Sequence, residues 1–365
     1  MSSEIERRKR EHVELAAADA LPPALPSGFD DVQLIHNALP EASPGAIDTS
    51  VTLLGHMLRL PLVIASMTGG YAGGRDINAA LARAAQRHGI AMGVGSQRAA
   101  LVEPALAASY AVARDEAPDA FLIANIGVSQ LVAQRDRRAL TLGEIESLVG
   151  MIRAGALVVH LNAIQELVQP EGQPDARGWL AAIEALAASV SVPVIAKETG
   201  GGMSFGVARR LRDAGVRALD VGGRGGTSFA AIEAVRAERI GDRRGIALGA
   251  AFRDWGIPTM ASIAAAGRAG LPVIATGGVR GGLDAARAVA MGAVAVGVAR
   301  PLLKAALDGG DAALDAWIEA FRTELVAAMY LTGSSDLTAL AKAPRIVSGE
   351  TAEWIRQLRE VDDHG

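Results

Sequence analysis

The 365-residue chain contains no cysteine. That one absence removes thiolate nucleophiles, iron–sulfur clusters, cysteine-ligated zinc and disulfides together. No uncharged apolar run reaches the roughly 18 residues a membrane span needs, and the N-terminus is dense in Glu, Arg and Lys, unlike a secretory signal. A cytoplasmic protein is expected. No net basic charge is present either: the formal charge is −4, so no global field draws the chain to nucleic acid or anionic lipid. Lysine is scarce, four against 32 arginines, which makes each lysine worth inspecting wherever a compact or titratable ammonium is needed. What the chain has is apolar and glycine-rich: half of its residues are hydrophobic, 21% are charged and 42 are glycine, a balance that excludes disorder as the main state.

From residue 61 onward, short β-rich apolar runs alternate with amphipathic Ala/Leu/Arg stretches, the pattern of successive βα units over a parallel sheet. Strands are expected at 62–66, 90–96, 121–127, 157–162, 193–199, 218–223, 272–277 and 293–298. Helices are expected to begin near Arg75, Pro104, Leu142, Arg177, Ser204, Ser228, Pro258 and Leu283, with another after Pro301. Thr141 and Glu144 fit a capping box, and Ser204 fits an N-cap. Eight strands in about 240 residues match an α/β (β/α)8 TIM barrel, with a doubly wound open sheet as the competing fold. Polar residues crowd at the C-terminal strand ends, which decides for the barrel, because barrels place their sites on that rim. A single domain is expected: a barrel core of about 61–305, an N-terminal extension 1–60 covering the active site and a C-terminal helical extension 306–365.

Several segments carry candidate chemistry. Ala275-Thr-Gly-Gly-Val-Arg-Gly-Gly282 and Gly297-Val-Ala-Arg-Pro-Leu-Leu303 follow the seventh and eighth strands, where glycines let backbone N–H groups approach phosphate and a helix N-terminus favours a dianion. Two tight turns with nothing bound are the plainer alternative. Gly222-Gly-Arg-Gly-Gly-Thr-Ser228 offers hydroxyls at a helix start, where Ser228 also suits simple capping. Lys197 ends the otherwise apolar run 193–197 and needs an anionic partner, either a ligand or a carboxylate such as Glu198. His160-Leu-Asn-Ala-Ile-Gln-Glu166 brings a histidine, two amides and a carboxylate to the mouth. Glu166 alone suits Mg²⁺ better than zinc, because Mg²⁺ keeps waters and shares its shell with substrate phosphates. A surface loop is the competing reading. Arg7-Arg-Lys-Arg-Glu-His12 is either a solvated terminus or a basic segment folded over the rim to neutralise a diphosphate.

Read together, these pieces resemble the type 2, FMN-dependent isopentenyl-diphosphate Δ-isomerases. The resemblance rests on Arg8-Lys-Arg-Glu-His12, Met67-Thr-Gly-Gly70, Gly95-Ser-Gln-Arg98, Asn125-Ile-Gly127 and His160-Leu-Asn162 with Gln165-Glu166. It continues through Lys197-Glu198, Gly225-Gly-Thr-Ser228, Asp254-Trp-Gly-Ile-Pro-Thr259 and Ala275-Thr-Gly-Gly278, in order from residue 8 to about 303. Thr199 and Phe229 depart from it, standing where an aliphatic residue and a tryptophan are expected, and so bear on flavin affinity.

The resemblance implies that Met67, Thr68, Gly69, Ser96, Asn125, Lys197 and Thr227 hold the ring and ribityl chain of FMN. It implies that Gly277, Gly278, Arg280, Ala299 and Arg300 take its phosphate. Arg8, Lys9, His12, Ser96, Gln97, Arg98, Asn162 and Gln165 would bind isopentenyl diphosphate, Glu166 would hold Mg²⁺, and Gln165 and His160 would orient the substrate or relay a proton. NADPH would serve only to reduce the flavin, and a homo-oligomer, tetramer or octamer, is expected, with no nucleic-acid or membrane partner. Two other readings compete: an FMN-dependent 2-hydroxy-acid oxidase-like enzyme and a non-catalytic phosphate-ligand-binding barrel.

Overall fold

A computed structural model describes residues 4–18, 25–135 and 137–364. Eight parallel strands close into a barrel in chain order: Leu62–Ile64, Ala91–Gly93, Leu122–Gly127, Ala156–Leu161, Val194–Glu198, Ala218–Asp220, Val273–Thr276 and Ala295–Val298. Closure is shown by the pairing of Val63 with Gly297 between first and last strands. All eight lie within the expected segments or one residue outside them, and the doubly wound alternative is excluded.

Side-chain alternation explains why these runs are apolar on both faces. Val63, Ile123, Val158, Ile195 and Ile274 point into the barrel, whereas Leu62, Ile64, Leu122 and Val159 pack outward against the helices. Much of the interior is alanine: Ala91, Ala156, Ala218 and Ala295. The remaining volume at the N-terminal end is filled from outside the repeat. An antiparallel hairpin, Val51–Leu53 with His56–Leu58, inserts Leu53 and Leu58 into that core, and His56 stacks on Phe121 at 4.1 Å between ring centres. The N-terminal extension therefore serves both ends of the barrel, and only its first part lies at the mouth. Its strand Val32–Leu34 also pairs with Arg345–Val347 of the C-terminal extension.

The second strand is shorter than expected, because after Gly93 the chain bends toward the loop that follows the first strand. Gly95 N–H donates to Thr68 O at 2.7 Å, and a Cβ on Gly95 would sit 2.7 Å from that oxygen. Helix starts follow the local chemistry. Glu144 N–H donates to Thr141 Oγ1, Thr141 N–H donates to Glu144 Oε2, and Ser204 and Ser228 hydroxyls accept from Val207 and Ala231 N–H. The helix Arg300–Thr332 is broken at Gly310, whose φ of 57° leaves the helical region. Among the described residues, no helix is long and apolar enough to cross a membrane.

Candidate active site

The strand ends and their loops surround a cavity of about 730 Å³ at the C-terminal mouth. The helix Glu4–Ala17 lies across it, contributing Lys9, His12 and Val13 to its wall. A polar chamber of about 160 Å³ adjoins it and shares Lys9, His12, Ser96, His160 and Gln165 with it.

One wall of the large cavity is built from backbone. Gly277 and Gly278 have φ of +120° and +78°, and a Cβ on either would lie within 2.5 Å of the carbonyl oxygen of Gly223 or Gly225. Only glycine fits there. Neither Gly278 nor Val279 N–H donates to another backbone carbonyl among the described residues. The adjacent helix Arg300–Thr332 opens with no side-chain cap, so its first N–H groups are open to an anion beside Ala299 and Arg300. Such a cradle fits the phosphate of a mononucleotide. Arg280 is a different matter: its guanidinium is held by Asp30 at 2.7 Å and Asp284 at 2.8 Å, which raise its pKa, and its side chain is 58% exposed. Its charge is already matched by these two carboxylates, although it still lines the cavity, and Arg300 beside the cradle donates to Ala18 O at 2.7 Å.

Met67, Thr68, Gly69, Ser96, Asn125, Lys197 and Thr227 all line the large cavity. Arg8, Lys9, His12, Ser96, Arg98, Asn162, Gln165 and Glu166 line the polar chamber. Gln97 does not. Its side chain is fully buried behind the second strand, donating to Leu148 O at 2.9 Å and accepting from Asn125 N–H at 3.0 Å, so it braces Asn125 and is unavailable to substrate.

Asn125 in turn sets the histidine. Its amide nitrogen donates to Val94 O, which turns Oδ1 toward His160 Nδ1 at 2.8 Å. Nδ1 must then carry the proton, leaving Nε2 as an acceptor. Burial, with the charges of Lys197 and Lys9, pushes the imidazole down to about 3, so His160 is neutral at physiological pH. Lys9 donates to Ser96 O at 2.8 Å, as does Tyr110 Oη at 2.6 Å, and its pKa is lowered to about 7 by burial and by Arg8.

Glu166 is 8% exposed and surrounded by uncharged donors. Asn162 and Ser129 donate to Oε1, while Gln169 and the Gln173 N–H donate to Oε2. Among the described residues no three His, Asp or Glu side chains gather to hold a metal. The donor set suits a hard cation that binds one carboxylate and fills its shell with water and phosphate, and no all-protein site.

Two acidic residues at the site escape sequence reading. Glu233 is fully buried on the helix Phe229–Ile240, where it meets His12 at 2.7 Å, Arg236 at 2.6 Å and Gln165 at 3.4 Å. Burial acts to raise its carboxyl, but His12 and Arg236 outweigh that and hold it low. Arg236 also binds Glu11 at 3.0 Å and Glu171 at 2.8 Å, so the network ties the N-terminal helix to the barrel. Asp220 ends the sixth strand, 3.6 Å from Lys197 Nζ. Asp220 is thus the carboxylate beside Lys197, whereas Glu198 receives Nζ on its backbone oxygen at 2.7 Å.

The sequence profile of the FMN-dependent dehydrogenase family matches residues 4–143 and 157–347. The chain is 47% identical over 351 residues to an isopentenyl-diphosphate Δ-isomerase of Methanoregula boonei, covering 95% of each chain. It is 47% identical over 358 residues to that of Halobacterium salinarum, covering 98% of this chain and 97% of the relative. The chain belongs to the isopentenyl-diphosphate Δ-isomerase family. A third member, from Archaeoglobus fulgidus, is 44% identical over 349 residues. Among solved structures, a lactate oxidase of Pediococcus acidilactici superposes with a TM-score of 0.67 at 16% identity, covering 96% of both chains, and a mandelate oxidase with 0.61 at 18%, covering 95% of this chain. At that distance the likeness is one of fold.

Proposed function

We propose that the protein converts isopentenyl diphosphate to dimethylallyl diphosphate with reduced FMN in the large cavity and Mg²⁺ on the diphosphate. The observation that carries this reading is the junction of the two cavities. A mononucleotide-sized cavity with a backbone phosphate cradle opens onto a chamber lined by Arg8, Lys9, Arg98 and Arg137 and by two carboxylates, Glu166 and Glu171, the second of which is drawn to Arg8 and Arg236. The full-length relatives, named for this reaction, support it.

When bound, reduced FMN supplies an acid and base at its ring edge and an electron-rich face for the positive charge that develops on protonating an alkene. The chain's own residues do the rest. Met67, Thr68, Gly69, Asn125, Lys197 and Thr227 would hold the ring and ribityl chain, and Gly277, Gly278, Ala299 and Arg300 its phosphate. Arg8, Lys9 and Arg98 fix the diphosphate, with Glu166 holding Mg²⁺ and Asn162 orienting Glu166 through its 2.9 Å contact. Binding energy from that charged end positions the short hydrocarbon. His160, neutral and with Nε2 as acceptor, and Gln165, tied to Glu233, orient the substrate at the junction and keep the amide and imidazole dipoles fixed. The N-terminal helix excludes water from a carbocation-like state. NADPH enters only as reductant. A hydroxy-acid oxidase would need a histidine at the late strands, and none occurs between His160 and His364.

Anaerobic incubation of the purified protein with FMN, NADPH, Mg²⁺ and isopentenyl diphosphate tests the reading. Dimethylallyl diphosphate should form only with reduced flavin; bound FMN with no conversion would leave the non-catalytic barrel. The tetramer or octamer is carried by the family resemblance alone, and light scattering on the holoprotein tests it.

A further inference from the structure

The floor of the large cavity holds a charge pair of which the proposed reading gives only Lys197 a place and leaves Asp220 without a role. Lys197 and Asp220 are register partners at the ends of the fifth and sixth strands, and among the described residues Lys197 is the only lysine or arginine that a strand contributes to the cavity wall. Asp220 lies behind it, out of the cavity, with Oδ2 3.6 Å from Nζ and its side chain 7% exposed. Its other oxygen, Oδ1, is buried and makes no hydrogen bond of normal geometry among the described residues, although Thr276 and the Gly222 N–H lie beside the carboxylate. Lys197 spends one N–H on Glu198 O and has no other carboxylate within ion-pair range among the described residues. Burial of this carboxylate is costly and raises its pKa, while Lys197 beside it acts the other way and favours the ionised form, in which Asp220 opposes the charge of that ammonium.

We propose that Asp220 is a positioning residue that, through Lys197, sets the reduction potential of FMN in this cavity; this rests on the FMN reading above. Reduction of FMN by two electrons with uptake of one proton leaves the ring with one more negative charge. Lys197 favours that added charge and Asp220 opposes it. Removing the carboxylate leaves the ammonium uncompensated, so the reduced form should bind more tightly relative to the oxidised form.

Potentials measured by anaerobic titration with dithionite against a reference dye test this on the holoprotein. Asp220→Asn should bind FMN stoichiometrically with its potential raised, a tenfold gain in relative affinity for the reduced form corresponding to about 30 mV for a two-electron couple. Lys197→Gln should lower the potential, and Lys197→Gln with Asp220→Asn should lie above Lys197→Gln alone, because the single variant leaves the Asp220 charge unopposed. That comparison keeps the test open if Asp220→Asn does not fold. FMN-loaded Asp220→Asn with an unchanged potential, or equal potentials for Lys197→Gln and the double variant, would overturn the inference. Failure of the wild type to bind FMN would instead remove the reading of the cavity.

Discussion

At the scale of single residues, the site turns on side chains whose protonation is set by their neighbours. Lys9 releases its proton near pH 7 in the folded protein against 10.5 when unperturbed, so above neutrality the free site holds less positive charge than the sequence suggests. Diphosphate should draw that proton back. Calorimetry with isopentenyl diphosphate on the unreduced protein at pH 8, where that ligand is fully ionised, in buffers of different ionisation enthalpy should show net uptake approaching one proton, and Lys9→Met should abolish it. By linkage the same lysine weakens the free protein at low pH: the stabilisation present above about 10.5 is lost as pH falls through about 7, because the buried ammonium must then be charged. Glu166→Gln should cut turnover by roughly tenfold or more while leaving FMN bound, since a neutral amide would no longer hold the Mg²⁺ proposed to anchor the diphosphate. Gln97 and Arg280 show where residue-level reading stops. Both stand in loops of the right composition, yet Gln97 turns to Leu148 and Asn125, and Arg280 to two carboxylates distant in sequence or one helical turn away.

At the scale of elements, capping and periodicity were legible because they are local. The box at Thr141 and Glu144 needs only four residues, and Thr141→Ala should cost about 1 kcal/mol, read from chemical denaturation. The role of Glu233 was not legible, because an acidic residue in an alanine-rich helix looks like a solvent-facing position. Only the tertiary approach of His12 and Arg236 makes it a buried joint. Glu233→Ala removes the contact partner of His12 and one of the three carboxylates on Arg236, which keeps Glu11 and Glu171. Limited proteolysis should then cleave within residues 4–17 well before the barrel, and KM for isopentenyl diphosphate should rise.

For the whole molecule, the order of βα units fixed the barrel, since eight parallel strands with polar C-terminal ends have few ways to close. The plug at the opposite end was not readable, because a short hairpin outside the repeat carries no sign of its target. It is nonetheless part of the core: Leu58 is 2% exposed among alanines too small to fill the barrel alone. Leu58→Ala should destabilise the protein by about 2–5 kcal/mol, seen as a lower urea midpoint with the site's ligand affinities little changed in the folded state.

The central claim is that the cavity carries out an isomerisation with reduced flavin and without net electron transfer. Its most direct test is to reduce the FMN-loaded protein once, remove excess reductant under anaerobic conditions, and add many equivalents of isopentenyl diphosphate with Mg²⁺ while following the flavin absorbance. The account predicts many product molecules per flavin with the reduced spectrum unchanged throughout. Reoxidation in step with product, one flavin consumed per dimethylallyl diphosphate formed, would contradict it.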